Sequence, residues 1–152
     1  MDTDARPALT PEEAAPSAWV AGSRVGFTAL AQGVYFVATG IWPIVHLRSF
    51  EAVTGPKVDG WLVKTFGALV GSIGGALIVG AFEAPRSRAL RTLGVGSAAV
   101  LALAEGVYVG KGRISKIYLM DALLQIATAG AWLLEERAHR NARGDGAPRA
   151  AP

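Results

Sequence analysis

The sequence predicts an all-α integral membrane protein, a four-helix bundle that is antiparallel and runs up-down-up-down, with disordered N- and C-terminal tails. Three observations predict it. Of the 152 residues, 51% are hydrophobic and another 19 are glycine, while only 18% are charged; an ordinary soluble domain has about 25% charged residues. The charges also crowd outward, with six in residues 1–24 and seven in 135–152, leaving fourteen for the 110 residues between. Finally, polar and small side chains recur at steps of three and four within the apolar runs, which is the period of one helix face.

Residues 1–23 are rich in Ala, Pro, Asp and Glu, and together with Arg24 they carry a net charge of −2. An acidic start is the opposite of the basic leading region of a secretory signal, so a retained, disordered tail is expected. Between Arg24 and Arg48 lie 23 residues with no charge beyond one on His46. That is enough to cross a hydrocarbon core of about 30 Å at about 1.5 Å per residue, and the first span is placed at 25–47. The next uncharged run, 65–82, has 18 residues and lengthens toward Trp61 when Lys64 snorkels its ammonium to the interface, giving a second span at 60–82.

A third span is expected at 90–109, containing Glu105, and a fourth at 115–134, containing Asp121. Their uninterrupted apolar runs are only 13 residues each, a length that a re-entrant or interfacial hairpin also fits. From residue 141 onward, Gly, Ala, Pro and Arg predict a second disordered tail. With four spans both termini share a face. That face holds nine of the Lys and Arg residues and the other six, so the positive-inside rule places both termini in the cytoplasm.

Composition excludes several chemistries. There is no cysteine, which removes thiol redox reactions, disulfides, iron–sulfur ligation and cysteine-based zinc sites. Of two histidines, His139 falls in the polar C-terminal stretch, so one chain cannot supply a bis-histidine haem. Phosphate-binding, dinucleotide-binding, nucleophile-elbow and zinc-protease motifs are all missing, and no metal or cofactor is expected. The basic residues sit in short clusters between apolar runs (Arg86, Arg88, Arg91; Lys111, Arg113, Lys116), as in loops at lipid headgroups, and not as a nucleic-acid patch.

The stripes are the most specific signal. Thr28, Gln32, Tyr35, Thr39, Trp42 and His46 share one face of the first span; Lys64, Gly67, Gly71, Gly74 and Ile78 share one of the second. Gly94, Ala98, Leu101, Glu105 and Tyr108 follow in the third, and Tyr118, Asp121, Gln125, Thr128 and Trp132 in the fourth. In lipid, polar side chains turn toward protein and small ones let backbones approach, so these faces should point inward. Gly71-x-x-x-Gly75 adds a close-contact surface usable within the bundle or in a homodimer.

Antiparallel packing brings His46, Lys64, Glu105 and Asp121 to nearly one depth, about one turn inside one membrane face. The adjoining loop adds Arg48, Glu51, Lys57 and Asp59. Intramembrane ionisable groups are costly and usually face the interior. One reading is an ion pair of Lys64 with Glu105 or Asp121 that fixes helix register; the other is a working site in which the two acids share a proton. His46 and the neighbouring aromatics Tyr35, Tyr108, Trp42 and Trp61 are expected to be interfacial or packing residues. Thr54-Gly55-Pro56-Lys57 reads as a tight turn with Gly55 at positive φ, and Asp59 as the N-cap of the second span.

The segment 33–67, GVYFVATGIWPIVHLRSFEAVTGPKVDGWLVKTFG, resembles a family of small bacterial inner-membrane proteins of unknown function through Ile41-Trp42-Pro43, Ser49-Phe50-Glu51, Val53-Thr54-Gly55-Pro56-Lys57 and Trp61-Leu62-Val63-Lys64-Thr65. The resemblance covers about a quarter of the chain and implies a four-helix protein of the bacterial cytoplasmic membrane with the 51–64 loop as its signature, but no activity. A looser likeness in size and helix count is to DoxX-like membrane proteins. Two functions from different classes fit: a scaffold or accessory subunit contacting the bilayer and a partner membrane protein, which the sequence favours, or an oligomeric proton-linked transporter of small molecules or ions using Lys64, Glu105 and Asp121. A membrane enzyme comes third, with carboxylate chemistry alone.

Overall fold

The computed structural model describes residues 25–144, so the expected N-terminal tail and the residues beyond 144 lie outside it. Five helices follow one another: α1 (Phe27–Val45), α2 (Leu47–Thr54), α3 (Gly60–Glu83), α4 (Arg88–Gly110) and α5 (Tyr118–Gly144). No strand occurs among the described residues. By length and composition α1, α3 and α4 can each cross a membrane. The fourth long helix, α5, falls short of that measure, because Asp121, Gln125 and Glu135 interrupt its apolar stretch.

The helices depart from the expected spans at two places. The first expected span breaks at His46, whose backbone leaves the helical region (φ −143°, ψ 74°), and the chain starts a second, eight-residue helix where a loop is expected. Pro43, inside the last turn of α1, has no N–H to give and weakens that end. The His46 ring then caps α2, its Nδ1 accepting from the Ser49 N–H at 3.2 Å. Trp42 folds α2 back, donating from Nε1 to Ser49 Oγ at 2.7 Å and meeting Phe50 edge-on. α2 ends at Gly55, whose φ of 88° suits a residue without a Cβ. At the far end, α5 does not stop near residue 134 but continues to Gly144, so residues 141–144 are helical and not tail.

The strongest packing is between α1 and α3 and between α4 and α5. α1 and α3 run antiparallel with Gly33 against Gly74 and Gly40 against Gly67, two contacts one heptad apart on each helix. A Cβ added at Gly33 would lie 2.7 Å from the Gly74 carbonyl oxygen, and one at Gly74 would lie 2.7 Å from that of Gly33. Only hydrogen fits there, and the helices approach to backbone contact. Gly71 passes its backbone under Gly40, whereas a Cβ on Gly71 or Gly75 would meet nothing within 4 Å. The contacts within the bundle thus fall on the inward stripe, at Gly67, Gly71 and Gly74, and Gly75 takes no part in them. Between α4 and α5 the corresponding gap at Gly94 is filled by the Trp132 indole.

The core joins the two pairs through Ala29, Phe36, Val70, Leu77, Leu90 and Trp132. Leu69, Val79, Val100, Leu103 and Ile126 are exposed on the outer faces, the arrangement of a bundle whose solvent is lipid and not water. Ser87 starts α4, its Oγ accepting from the Leu90 N–H at 3.0 Å. Asp59 precedes α3 as expected, yet its carboxylate makes no cap bond; its backbone carbonyl accepts from the amides of Leu62 and Val63 instead.

The glycine register makes a direct prediction. Gly74→Val is expected to lower stability by about 1–3 kcal/mol through overpacking against α1. Gly75→Val, one residue away on the open face, is expected to stay within about 0.5 kcal/mol. Thermal unfolding of the two variants in detergent, side by side, checks the register.

Candidate functional site

The stripes mostly turn inward. Thr28, Gln32, Gly67, Gly74, Gly94, Ala98, Glu105, Gln125 and Trp132 are buried, while Tyr35, Thr39 and Asp121 are half-buried. The exceptions, Trp42, His46, Lys64 and Tyr108, all lie toward the end of the bundle that carries α2. Polar groups in an apolar span need partners within the protein, and α1 finds them on α4 and α5. Thr28 Oγ1 donates to Glu135 Oε1. Gln32 does double duty, donating from Nε2 to the Gly94 carbonyl at 2.9 Å and accepting from Trp132 Nε1 at 2.8 Å.

One heptad step below Thr28, the Tyr35 hydroxyl donates to Asp121 Oδ1 at 2.6 Å. The same oxygen accepts from Gln125 Nε2 at 3.1 Å, a contact between side chains one turn apart on α5. Glu105 comes in from α4 beside Asp121. It is only 7% exposed, and its Oε2 is the one buried side-chain oxygen or nitrogen among the described residues with no hydrogen-bond partner. Asp121 Oδ1 is thus held by two fixed donors, whereas Glu105 meets Asp121 itself and no donor reaches its Oε2.

Both acids border a half-open cavity of about 390 Å³ that reaches from Tyr35 and Gln125 toward the loop after α2. α3 supplies an apolar wall of Leu62, Val63, Phe66 and Val70, and Phe36 and Phe50 add rings from α1 and α2. At the loop end stand Tyr118 and Lys57. The Lys57 ammonium is 5.1 Å above the Tyr118 ring and donates to the Thr54 carbonyl at 3.1 Å. Its backbone N–H donates to Glu51 Oε1 at 3.2 Å. The tight turn is therefore more than a connector, since Glu51 fixes its shape and that shape holds Lys57 at the cavity.

This geometry corrects the expected cluster. Lys64 is exposed, and among the described residues ion pairs occur only at Glu136, with Arg91 and Arg140. Lys64 pairs with neither Glu105 nor Asp121. The glycine register sets Lys64 near Pro43, about two helical turns along α1 from Tyr35, where Asp121 docks. His46 lies outside the cavity as an exposed helix cap. Arg48 and Asp59 are exposed and do not line the cavity. The cation that does border it is Lys57. Tyr35 belongs with the acids and is not a belt aromatic; its place on the stripe between Gln32 and Thr39 is the signal that points there.

Among the described residues no three His, Asp or Glu side chains gather as a metal site. Comparison of the chain with family models, with characterised proteins and with solved structures finds no match, so its chemistry is read from its own geometry.

Gln32→Leu is expected to cost about 1–3 kcal/mol, since it strands the buried Trp132 N–H. Trp132→Phe strands Gln32 Oε1 in turn, and the double variant recovers about 1 kcal/mol of the summed losses. Lys64→Met, in contrast, changes stability by less than about 0.5 kcal/mol and shows no coupling to Asp121→Asn. Thermal unfolding of the set, analysed as double-mutant cycles, tests both statements.

Proposed function

We propose that the chain is a four-span bacterial cytoplasmic-membrane protein that acts as a proton-linked carrier of small molecules, working through its half-open cavity. The observation that carries this reading is Glu105, a carboxyl group held deep among apolar helices with one oxygen unpartnered, at the wall of a cavity and beside a second carboxyl group. Buried acids without a cation partner are costly in an apolar bundle, and a scaffold needs neither the acids nor the cavity. The acids that support the reading are Glu105 and Asp121, and the lysine at the cavity is Lys57, which pairs with neither of them.

In this reading α5 is the fourth span. Asp121 and Gln125 lower its hydropathy, but both are turned onto Tyr35 and the cavity, while Leu123, Leu124, Ile126 and Leu133 face outward. A helix with its polar groups satisfied inside the bundle meets lipid only through its apolar side.

Two experiments test the proposal. In proteoliposomes enclosing a pH-sensitive dye, inward gradients of cationic, anionic and neutral small solutes are applied in turn. At least one is expected to drive a change of interior pH, and Asp121→Asn, with unchanged insertion, is expected to abolish it; a scaffold would move no protons for any solute. For orientation, a cysteine replacing the fully exposed Val58 is expected to react with a membrane-impermeant maleimide on intact cells. One replacing Arg86 should react only after the cells are opened. The reverse pattern would put the termini outside.

A further inference from the structure

The cavity treats its two acids unequally, and the inequality specifies what belongs there. Asp121 Oδ1 accepts from Tyr35 and Gln125, so its charge is spread over two fixed donors. Glu105 Oε2 has none. Two carboxyl groups side by side in an apolar interior repel when both are charged, and a cation or a proton between them relieves that repulsion. The groups that face the pair are few: Tyr35 from α1, Tyr118 from α5 and Lys57 from the loop, while α3 presents only apolar side chains. Lys57 does not supply the missing charge. Its ammonium is turned onto the Thr54 carbonyl and the Tyr118 ring.

We infer that the cavity binds a lipophilic monocation, such as an alkylated or aryl-substituted ammonium, and exchanges it for the one proton held between Glu105 and Asp121. The inference rests on the carrier reading above and names its substrate class. A cationic head at the cavity wall formed by Glu105 and Asp121 restores the charge balance at the pair. An apolar body fits the aliphatic wall of α3 and the rings of Phe36, Phe50 and Phe66, whose faces also favour a cation. An anion would face two acids, and a neutral solute would leave the displaced charge uncompensated in an apolar site. The exchange balances: the cation enters with its charge, one carboxyl O–H bond breaks as its proton passes to water and leaves its electron pair on the carboxylate, and the net charge of the cavity stays the same.

The test uses the full chain in lipid nanodiscs with radiolabelled benzyltrimethylammonium, whose charge does not depend on pH, and with its uncharged carbon isostere neopentylbenzene as competitor. Saturable binding of one cation per chain is expected, tightening by up to about tenfold per pH unit between pH 6 and 8, as displacement of one proton requires. Neopentylbenzene should not displace it. Glu105→Gln and Asp121→Asn should each weaken binding at least tenfold and flatten the pH dependence. Should those variants fail to fold, the unmodified chain still decides the matter, because addition of the cation to weakly buffered protein is expected to release one proton per site. Binding that is independent of pH, without proton release, or that the isostere displaces as well as the cation itself, overturns the inference. If vesicle pH responds to anionic or neutral solutes while the cation fails to bind, the substrate class is wrong and the carrier reading stands. If no solute moves protons and the cation does not bind, both fall.

Discussion

Hydrocarbon offers no hydrogen bonds, so each polar side chain on a span must be answered by another part of the protein, and in this chain α1 makes most of those connections. Its stripe reaches Glu135 and Asp121 on α5 through Thr28 and Tyr35, and both α4 and α5 through Gln32. Direct packing between the α1–α3 pair and the α4–α5 pair is sparse by comparison with packing inside each pair. The side-chain bonds from α1 therefore do much to hold the pairs in register. Each of them replaces a group that would otherwise be unsatisfied in an apolar medium.

The second constraint is steric. Gly33, Gly40, Gly67 and Gly74 bring α1 and α3 to backbone contact, and Gly40 and Gly67 continue that seam into the wall of the cavity. A helix pair drawn so close positions Tyr35 and Phe36 against the space left between α3, α4 and α5. Without side-chain bulk at the seam, the aromatic and acidic groups are set by rigid backbone and not by long flexible side chains. Pro43 and His46 then end α1 and return the chain as α2, so that Phe50 and Lys57 meet the same space from its open end.

Against this background of satisfied polar groups, Glu105 Oε2 is conspicuous. Gln32 uses both ends of its amide, Trp132 its single donor, and Asp121 accepts twice. In a bundle that satisfies so many groups, one buried carboxyl oxygen without a donor is the exception, and it is the exception on which the carrier proposal rests. The loop contributes to the same place. Glu51 pins the turn and Lys57 closes on Tyr118.

The all-helical fold, the positions of α1, α3 and α4 to within a few residues and most of the inward faces were legible from the sequence, because hydrophobic length and the three-and-four period are local properties that each helix obeys alone. Gln32, Asp121, Gln125 and Trp132 were readable as inward-facing for that reason. What no single helix contains is its registration against the others. Placing Lys64 level with Glu105 and Asp121 assumed helices of equal depth, whereas the glycine contacts at Gly33–Gly74 and Gly40–Gly67 slide α3 so that Lys64 lies near Pro43 and outside the cavity. The break at His46, the α2 helix it caps and the approach of Lys57 to Tyr118 depend on where the chain folds back. The sequence by itself determined which faces turn inward and which residue types line them. Only the tertiary structure decided which of those residues meet, because relative depth is set by backbone-to-backbone contact between helices distant in the chain.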